Sequence, residues 1–128
     1  MKNRNTLQKR LIKEALWKMR NHPTAEEVYN SIANENPLIS RATVYRNLKL
    51  LVKTGECLHI PIPDGADCFD YNTLPHYHLK CKKCNRVFDI DMPYQENLYE
   101  KIRNLHEFEI ESHQILFSGV CPKCKKEV

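Results

Sequence analysis

No stretch of this sequence approaches the ~20 consecutive apolar residues that a membrane span needs. Met1 to Arg10 is polar and basic with no apolar core behind it, so no secretory signal is expected and the cytoplasm is the expected location. In that compartment six cysteines are read as metal ligands or free thiols rather than disulfides. His-Glu-x-x-His is missing, and no Ser or Cys nucleophile stands beside a placed base, which argues against a zinc hydrolase or an acyl-transfer enzyme. Internal repeats and low-complexity segments are absent too. What is left is an ordinary chain of 128 residues, long enough for one domain or two small modules.

Hydrophobic residues at 41% and charged residues at 28% fit a soluble globular protein. The net charge of +4 hides an asymmetry: residues 1–60 carry 11 Lys+Arg against 5 Asp+Glu, whereas residues 61–128 carry 9 against 11. A basic first half suits a polyanionic partner or a solvated basic face, and charge alone does not choose between them.

The first half reads as helices. Leu7, Leu11 and Ala15, joined by Ile12, Leu16 and Met19, recur at helical spacing over residues 6–20. After the break at His22-Pro23, Thr24-Ala25-Glu26-Glu27 has the form of a capping box, and Ala25, Val28, Tyr29 and Ile32 supply an apolar face that ends before Pro37. Ser40 is the expected N-cap of a third helix, with Val44, Leu48 and Leu51 inward and Gly55 as its stop. Arg41, Thr43, Tyr45, Arg46, Lys49 and Lys53 lie on its other face and are the candidate DNA contacts. The period then changes to two: Leu58, Ile60 and Ile62 alternate, Pro63-Asp64-Gly65 turns, and Phe69 and Tyr71 return. A hairpin directly after the basic helix makes a wing. With the turn centred at Asp64-Gly65, Cys68 faces about Pro61, so Cys57 and Cys68 do not pair and read as small buried hydrophobes.

Residues 72–76 read as a linker, and the second half as strand, helix, strand: strand-like over 78–91, a helix opened by Asp91 and Pro93 carrying Tyr94, Leu98, Ile102 and Leu105, and one or two strands from Phe108 to Val120. The expected fold class is α+β. A winged helix-turn-helix domain over 1–72 is followed by a small α/β dimerisation domain over 73–128.

Cys81-Lys82-Lys83-Cys84 and Cys121-Pro122-Lys123-Cys124 are the strongest local signal. A two-residue spacer lets a tight turn aim two sulfurs at one ion, and two such turns supply the four tetrahedral ligands of a closed, structural Zn²⁺ site. Lys82, Lys83, Lys123 and Lys125 partly offset the charge of a four-thiolate centre. A redox Cys-x-x-Cys expects one pair at a helix start in a βαβ unit, and that context is missing.

His76-Tyr77-His78 precedes the first pair, and residues two apart in a strand share a face, so both imidazoles can reach one ion. His22, Asp70 and Asp89 are further candidates. Each has a plain alternative, a turn contact for His22 and surface carboxylates for the aspartates, and spacing does not make the five converge.

Four motifs taken together, His22-Pro23-Thr24-Ala25-Glu26-Glu27-Val28-Tyr29, Ala42-Thr43-Val44-Tyr45-Arg46-Asn47-Leu48, His76-x-His78-x-x-Cys81-x-x-Cys84 and Cys121-x-x-Cys124, resemble the ferric uptake regulator family in order over residues 6–124. The resemblance implies a homodimeric repressor that binds double-stranded DNA at an A·T-rich inverted repeat. It also implies a regulatory metal between the domains that favours the DNA-binding shape. It is nearest to the peroxide-sensing branch, whose three histidines and two aspartates match His22, Asp70, His76, His78 and Asp89 as ligands of Fe²⁺ or Mn²⁺. The iron-sensing branch carries glutamates at the two aspartate positions, and an iron, manganese or zinc uptake regulator is the alternative. The family's other metal site is incomplete: Pro75 and Tyr77 stand at its flanking positions, leaving Glu96 and His113.

Overall fold

Short side chains start the second and third helices. The Thr24 hydroxyl accepts from the Glu27 amide at 3.1 Å while the Glu27 carboxylate accepts from the Thr24 amide at 2.9 Å, closing a capping box. Ser40 Oγ accepts from the Thr43 amide at 3.1 Å. The computed structural model describes residues 4–100, 102 and 107–126, and its contacts divide into two units, Met1–Thr73 and Leu74–Val128.

In the first unit α1 spans Arg4–Lys18, α2 Ala25–Ala33 and α3 Arg41–Lys53. Their apolar faces meet in one core of Ile12, Ala15, Leu16, Val28, Ile32, Val44, Leu48 and Leu51, with Cys57 beside them. Two backbone bonds end α3: the Glu56 amide donates to Leu51 O at 2.8 Å and the Gly55 amide to Val52 O at 3.1 Å. This Schellman pattern puts Gly55 at φ 79°, where glycine alone is unstrained.

The wing follows as β1, Leu58–Ile60, paired antiparallel with β2, Cys68–Asp70. Cys68 faces Ile60 rather than Pro61, a one-residue correction to the expected register, and the strands stop short of Ile62 and Tyr71. Prolines 61 and 63 have no amide to extend the ladder. Asp67 pins the loop instead, accepting from the Ile62 amide at 2.9 Å and holding His59 Nε2 at 2.8 Å. Cys57 and Cys68 are buried and unbridged, as expected.

The second unit is a three-stranded sheet in the order β4-β3-β5, with β3 at Tyr77–Cys81, β4 at Val87–Ile90 and β5 at Leu116–Gly119. β4 runs antiparallel to β3 and β5 parallel to it. A short helix α4, Pro122–Lys126, closes the unit. The helix expected from Asp91 starts later, as a 3₁₀ turn at Glu96–Tyr99 with Glu100 and Ile102 helical; Leu105 lies outside the described residues. Tyr94 falls before that turn because its ring stacks on His113, with centroids 4.4 Å apart. The strand expected from Phe108 begins only at Leu116. At His113 the backbone N–H and C=O both meet the Tyr94 hydroxyl, at 3.4 and 3.3 Å, in place of a ladder. No helix among the described residues is long and apolar enough to cross a membrane.

Candidate metal centres and nucleic-acid face

The parallel pairing of β3 with β5 sets Cys81 opposite Gly119, two residues before Cys121. The Cys81–Cys84 turn is closed by the Asn85 amide on Cys81 O at 2.9 Å, with Asn85 in the left-handed region at φ 63°, which asparagine tolerates better than most residues. Pro122 opens α4 and places Cys124 one turn on. The sulfurs of Cys81, Cys84, Cys121 and Cys124 consequently lie within 4.8 Å of one another, and Cys84 and Cys121 are 3.9 Å apart. Four sulfurs at about 2.3 Å from one zinc form a tetrahedron with edges of about 3.8 Å, so the donor set fits that ion.

The amides of Cys84 and Cys121 both donate to Cys81 Sγ at 3.4 Å, and they are the main cause of its thiol being drawn down to about 6. Burial pushes Cys124 up to about 12. Phe88 and Val120 pack on the buried thiols, while Cys84 is exposed beside Lys83, Arg86 and Lys123. Arg86 is a nearby cation that the run of lysines in the sequence did not reveal.

The imidazoles and aspartates fall into two sets, one in each unit. In the first, the Thr24–Cys68 bridge and the Phe69 amide bond to Pro23 O, at 2.8 Å, add the segment after His22 to the wing as an antiparallel neighbour. Counting back two residues on one side and forward two on the other sets His22 opposite Asp70. His22 Nε2 meets Asp70 Oδ2 at 3.3 Å, while the other carboxylate oxygen accepts from the Asn72 amide at 3.0 Å. His22 itself stands at φ 59°, an uncommon backbone state for a residue before proline. In the second unit His78 and Asp89 are direct cross-strand partners. Asp89 Oδ1 lies 3.0 Å from His76 Nε2 and 3.4 Å from His78 Nε2. His76 Nδ1 lies 2.6 Å from Leu74 O, a contact that places its proton on Nδ1 and leaves Nε2 as the donor atom.

His113 has a different environment. The Gln95 amide donates to the Tyr77 hydroxyl at 2.9 Å, Tyr77 reaches His113 Nε2 at 2.6 Å, and Tyr94 meets His113 Nδ1 at 3.0 Å. Both ring nitrogens are engaged by tyrosines. Among the described residues neither His113 nor the exposed Glu96 belongs to a cluster of three or more metal-donor side chains. Sequence reasoning had passed over this tyrosine lock.

On α3, Tyr45, Arg46, Lys49 and Lys53 are exposed. The last three line a groove of about 500 Å³ with Thr6 and Lys9 of α1. Thr43 is half-buried, and its hydroxyl accepts from Ser40 Oγ at 3.0 Å, so it serves the helix cap. Arg41 points its fork at Glu26 on α2, with contacts of 2.9 and 2.8 Å.

A winged helix-turn-helix whose third helix shows a basic face, in a chain that also carries a four-thiol cluster, is the architecture of a metal-binding regulator of the DNA-binding kind rather than an enzyme. Residues 1–118 match the ferric uptake regulator family, and the chain belongs to that family, whose members are dimeric DNA-binding repressors. It is 33% identical over 124 residues to the peroxide-responsive repressor PerR of Staphylococcus epidermidis, covering 97% of this chain and 83% of that protein. The crystal structure of the Campylobacter jejuni peroxide stress regulator is similar at 31% identity, with a TM-score of 0.76 over 94% of this chain and 90% of that one. The Helicobacter pylori ferric uptake regulator Fur shares the fold with a TM-score of 0.80 at 21% identity, over 99% and 84% of the two chains.

Proposed function

We propose that the chain is a cytoplasmic homodimeric repressor whose hold on double-stranded DNA depends on a regulatory Fe²⁺ or Mn²⁺ ion, and that peroxide is sensed at that ion. Residues 1–72 serve as the winged-helix DNA-binding domain and residues 73–128 as the α/β dimerisation and metal domain. Cys81, Cys84, Cys121 and Cys124 hold a structural Zn²⁺. His22, Asp70, His76, His78 and Asp89 together hold the regulatory ion.

The donor chemistry at positions 70 and 89 carries this reading. Each unit offers imidazole nitrogen beside an aspartate, at 3.3 Å in the first and at 3.0 and 3.4 Å in the second, with no thiol in either set. Two donors in adjacent positions on an octahedral ion, each about 2.1 Å from it, stand about 3.0 Å apart. Nitrogen and carboxylate donors without thiolate suit Fe²⁺ or Mn²⁺ over Zn²⁺ or Cu⁺. The Staphylococcus epidermidis and Campylobacter jejuni relatives, both named for peroxide, support the same branch.

An ion that took donors from both units would couple them, and its binding would favour one spacing of the two α3 helices in the dimer. The free energy available to the switch is the difference in metal affinity between the two arrangements. Bound Fe²⁺ supplies one-electron chemistry toward hydrogen peroxide at its own ligands, which Mn²⁺ does far more slowly. Transfer of one peroxide oxygen to the His22 or His76 ring, with water as the other product, would weaken that donor and the hold on the ion. Tyr45, Arg46, Lys49 and Lys53 face the groove and phosphates, while Arg41 and Thr43 shape the start of the helix. Two-fold symmetry calls for an inverted repeat, A·T-rich by family resemblance. Exposed Leu98, Ile102, Phe108 and Phe117 supply apolar surface for the dimer.

The test is DNA binding by the zinc-loaded protein with Mn²⁺ and with Fe²⁺, each before and after peroxide. Peroxide is expected to release DNA from the Fe²⁺ form and to spare the Mn²⁺ form. Release from neither identifies a regulator of metal supply.

A further inference from the structure

Four side chains bridge the two helices of the helix-turn-helix, and the reading above uses only some of them. Glu26 lies in the first turn of α2 and Arg41 is the first residue of α3. The Arg41 guanidinium grips the Glu26 carboxylate with both Nε and Nη2, at 2.9 and 2.8 Å. The Tyr45 hydroxyl, one turn along α3, donates to Glu26 Oε1 at 3.2 Å. The guanidinium carbon stands 4.6 Å from the centre of the Tyr29 ring, on the same face of α2 as Glu26. Charge-assisted, two-pronged contacts of this kind fix geometry far better than an ordinary surface ion pair. Arg41 chiefly draws Glu26 below the usual carboxylate range, and Glu26 in turn raises Arg41. The carboxylate is therefore charged, and the half-exposed Arg41 guanidinium carries its counter-charge at hydrogen-bond distance.

An arginine at the start of a recognition helix is well placed to read guanine or to grip phosphate, and the edge formed by Nε and Nη2 is one of the two it can use in a bidentate contact. Here two of its donors are taken. Tyr45 has its hydroxyl anchored at the helix-helix seam, so its ring is presented outward at a set angle.

We propose that Glu26 is a specificity-determining positioning residue. It cancels the Arg41 charge toward DNA and holds Tyr45 in a single orientation against the base edges. This rests on the reading of α3 as the DNA-recognition helix. Discrimination between sequences then depends on a residue of α2 that touches no base, and Arg41 adds nothing to the salt dependence of binding.

The experiment uses the full-length, Zn²⁺- and Mn²⁺-loaded dimer. A duplex is first enriched by wild-type protein from a random pool, and affinities for it and for a scrambled duplex of the same composition are measured over a range of salt. Glu26→Gln frees the Arg41 charge. Binding to the scrambled duplex should tighten several-fold and its salt slope steepen by about one per protomer. The preference for the enriched duplex should fall about tenfold. The double variant Glu26→Gln/Arg41→Ala removes both members of the pair, so its salt slope should return to the wild-type value while the preference stays low. A slope in the double variant shallower than wild type by about one per protomer overturns the proposal, because Arg41 then contacts phosphate in the native complex. A Glu26→Gln protein with wild-type slope and preference overturns it as well. Lys49→Ala separates this from failure of the underlying reading: if that variant keeps the wild-type slope, or if wild type enriches no duplex, the recognition face lies elsewhere and the proposal falls with it.

Discussion

Replacing Cys121 with Ser takes one ligand from a unit that has little else to hold it. Among the described residues of the second unit, the buried apolar side chains apart from the thiols are Tyr77 and Val87. At ~1.5–3 kcal/mol each they contribute ~3–6 kcal/mol. A structural zinc site is worth ~10–16 kcal/mol of apparent binding energy, all of it available only to the folded chain. The first unit stands on different terms. Seven large aliphatic side chains, Ile12, Leu16, Val28, Ile32, Val44, Leu48 and Leu51, are buried in one cluster, and on the same scale they contribute ~10–20 kcal/mol. Loss of zinc should therefore unfold the sheet and leave the helices. The single tryptophan, Trp17, lies in α1 with Arg20 stacked 4.4 Å from its ring and reports on the first unit alone. In Cys121→Ser, Trp17 fluorescence should follow a denaturation curve close to wild type. Bound zinc should be gone, dispersion of the second-unit tyrosine signals should collapse, and the dimer should dissociate on size exclusion. A zinc-free variant that remains a dimer with an intact sheet would refute the comparison of magnitudes.

Asp89→Glu keeps the charge and adds one methylene, so it should retain metal-dependent DNA binding and lose peroxide release; unaltered peroxide sensitivity counts against Asp89 as a donor. Mass spectrometry of the Fe²⁺ form after peroxide should show +16 Da on peptides holding His22 or His76, and none in the Mn²⁺ form. The Cys57 thiol, pushed up to about 11 by burial and 2% exposed, should resist alkylation at pH 8 in the native protein; rapid labelling would reopen thiol sensing. At pH 7 Cys81, near 6, is mostly thiolate, and Cys124, near 12, is thiol. Zinc loading should then release the Cys124 proton. Zinc affinity should fall as pH drops from 7 to 5 through the Cys81 value, which a competition titration with a chelator measures.

Local chemistry made the first unit legible. Thr24, Ser40 and Gly55 mark helix ends through contacts made within six residues, and the capping partners and the Schellman bonds lie where the sequence put them. The paired Cys-x-x-Cys motifs were equally plain, since each pair is shaped by its own turn. Longer-range devices were hidden. The wing register moved by one because Asp67 reaches back to Ile62, a bond that no alternation pattern encodes. His22 meets Asp70 only because Thr24 pairs with Cys68 across 44 residues, and the unusual backbone at His22 has no periodicity. In the second unit Tyr94 carries the spacing of a helix stripe, yet its ring and hydroxyl are committed to His113. The tertiary contact overrides the pattern.

His76 and strand β3 after it carry three kinds of chemistry in six residues. His76 and His78 project to one side, toward Asp89; Tyr77 and Cys81 project to the other, toward the tyrosine lock and the zinc thiols. This makes the segment tolerant of substitution in one way and intolerant of length change in another. An insertion or deletion of a single residue between Tyr77 and Cys81 would turn one set of donors to the wrong face while leaving every residue type in place. Relatives that diverge freely in composition along this strand should nevertheless keep its spacing, and gaps should accumulate instead in the turn at Pro63–Ala66, where neither metal set takes a ligand.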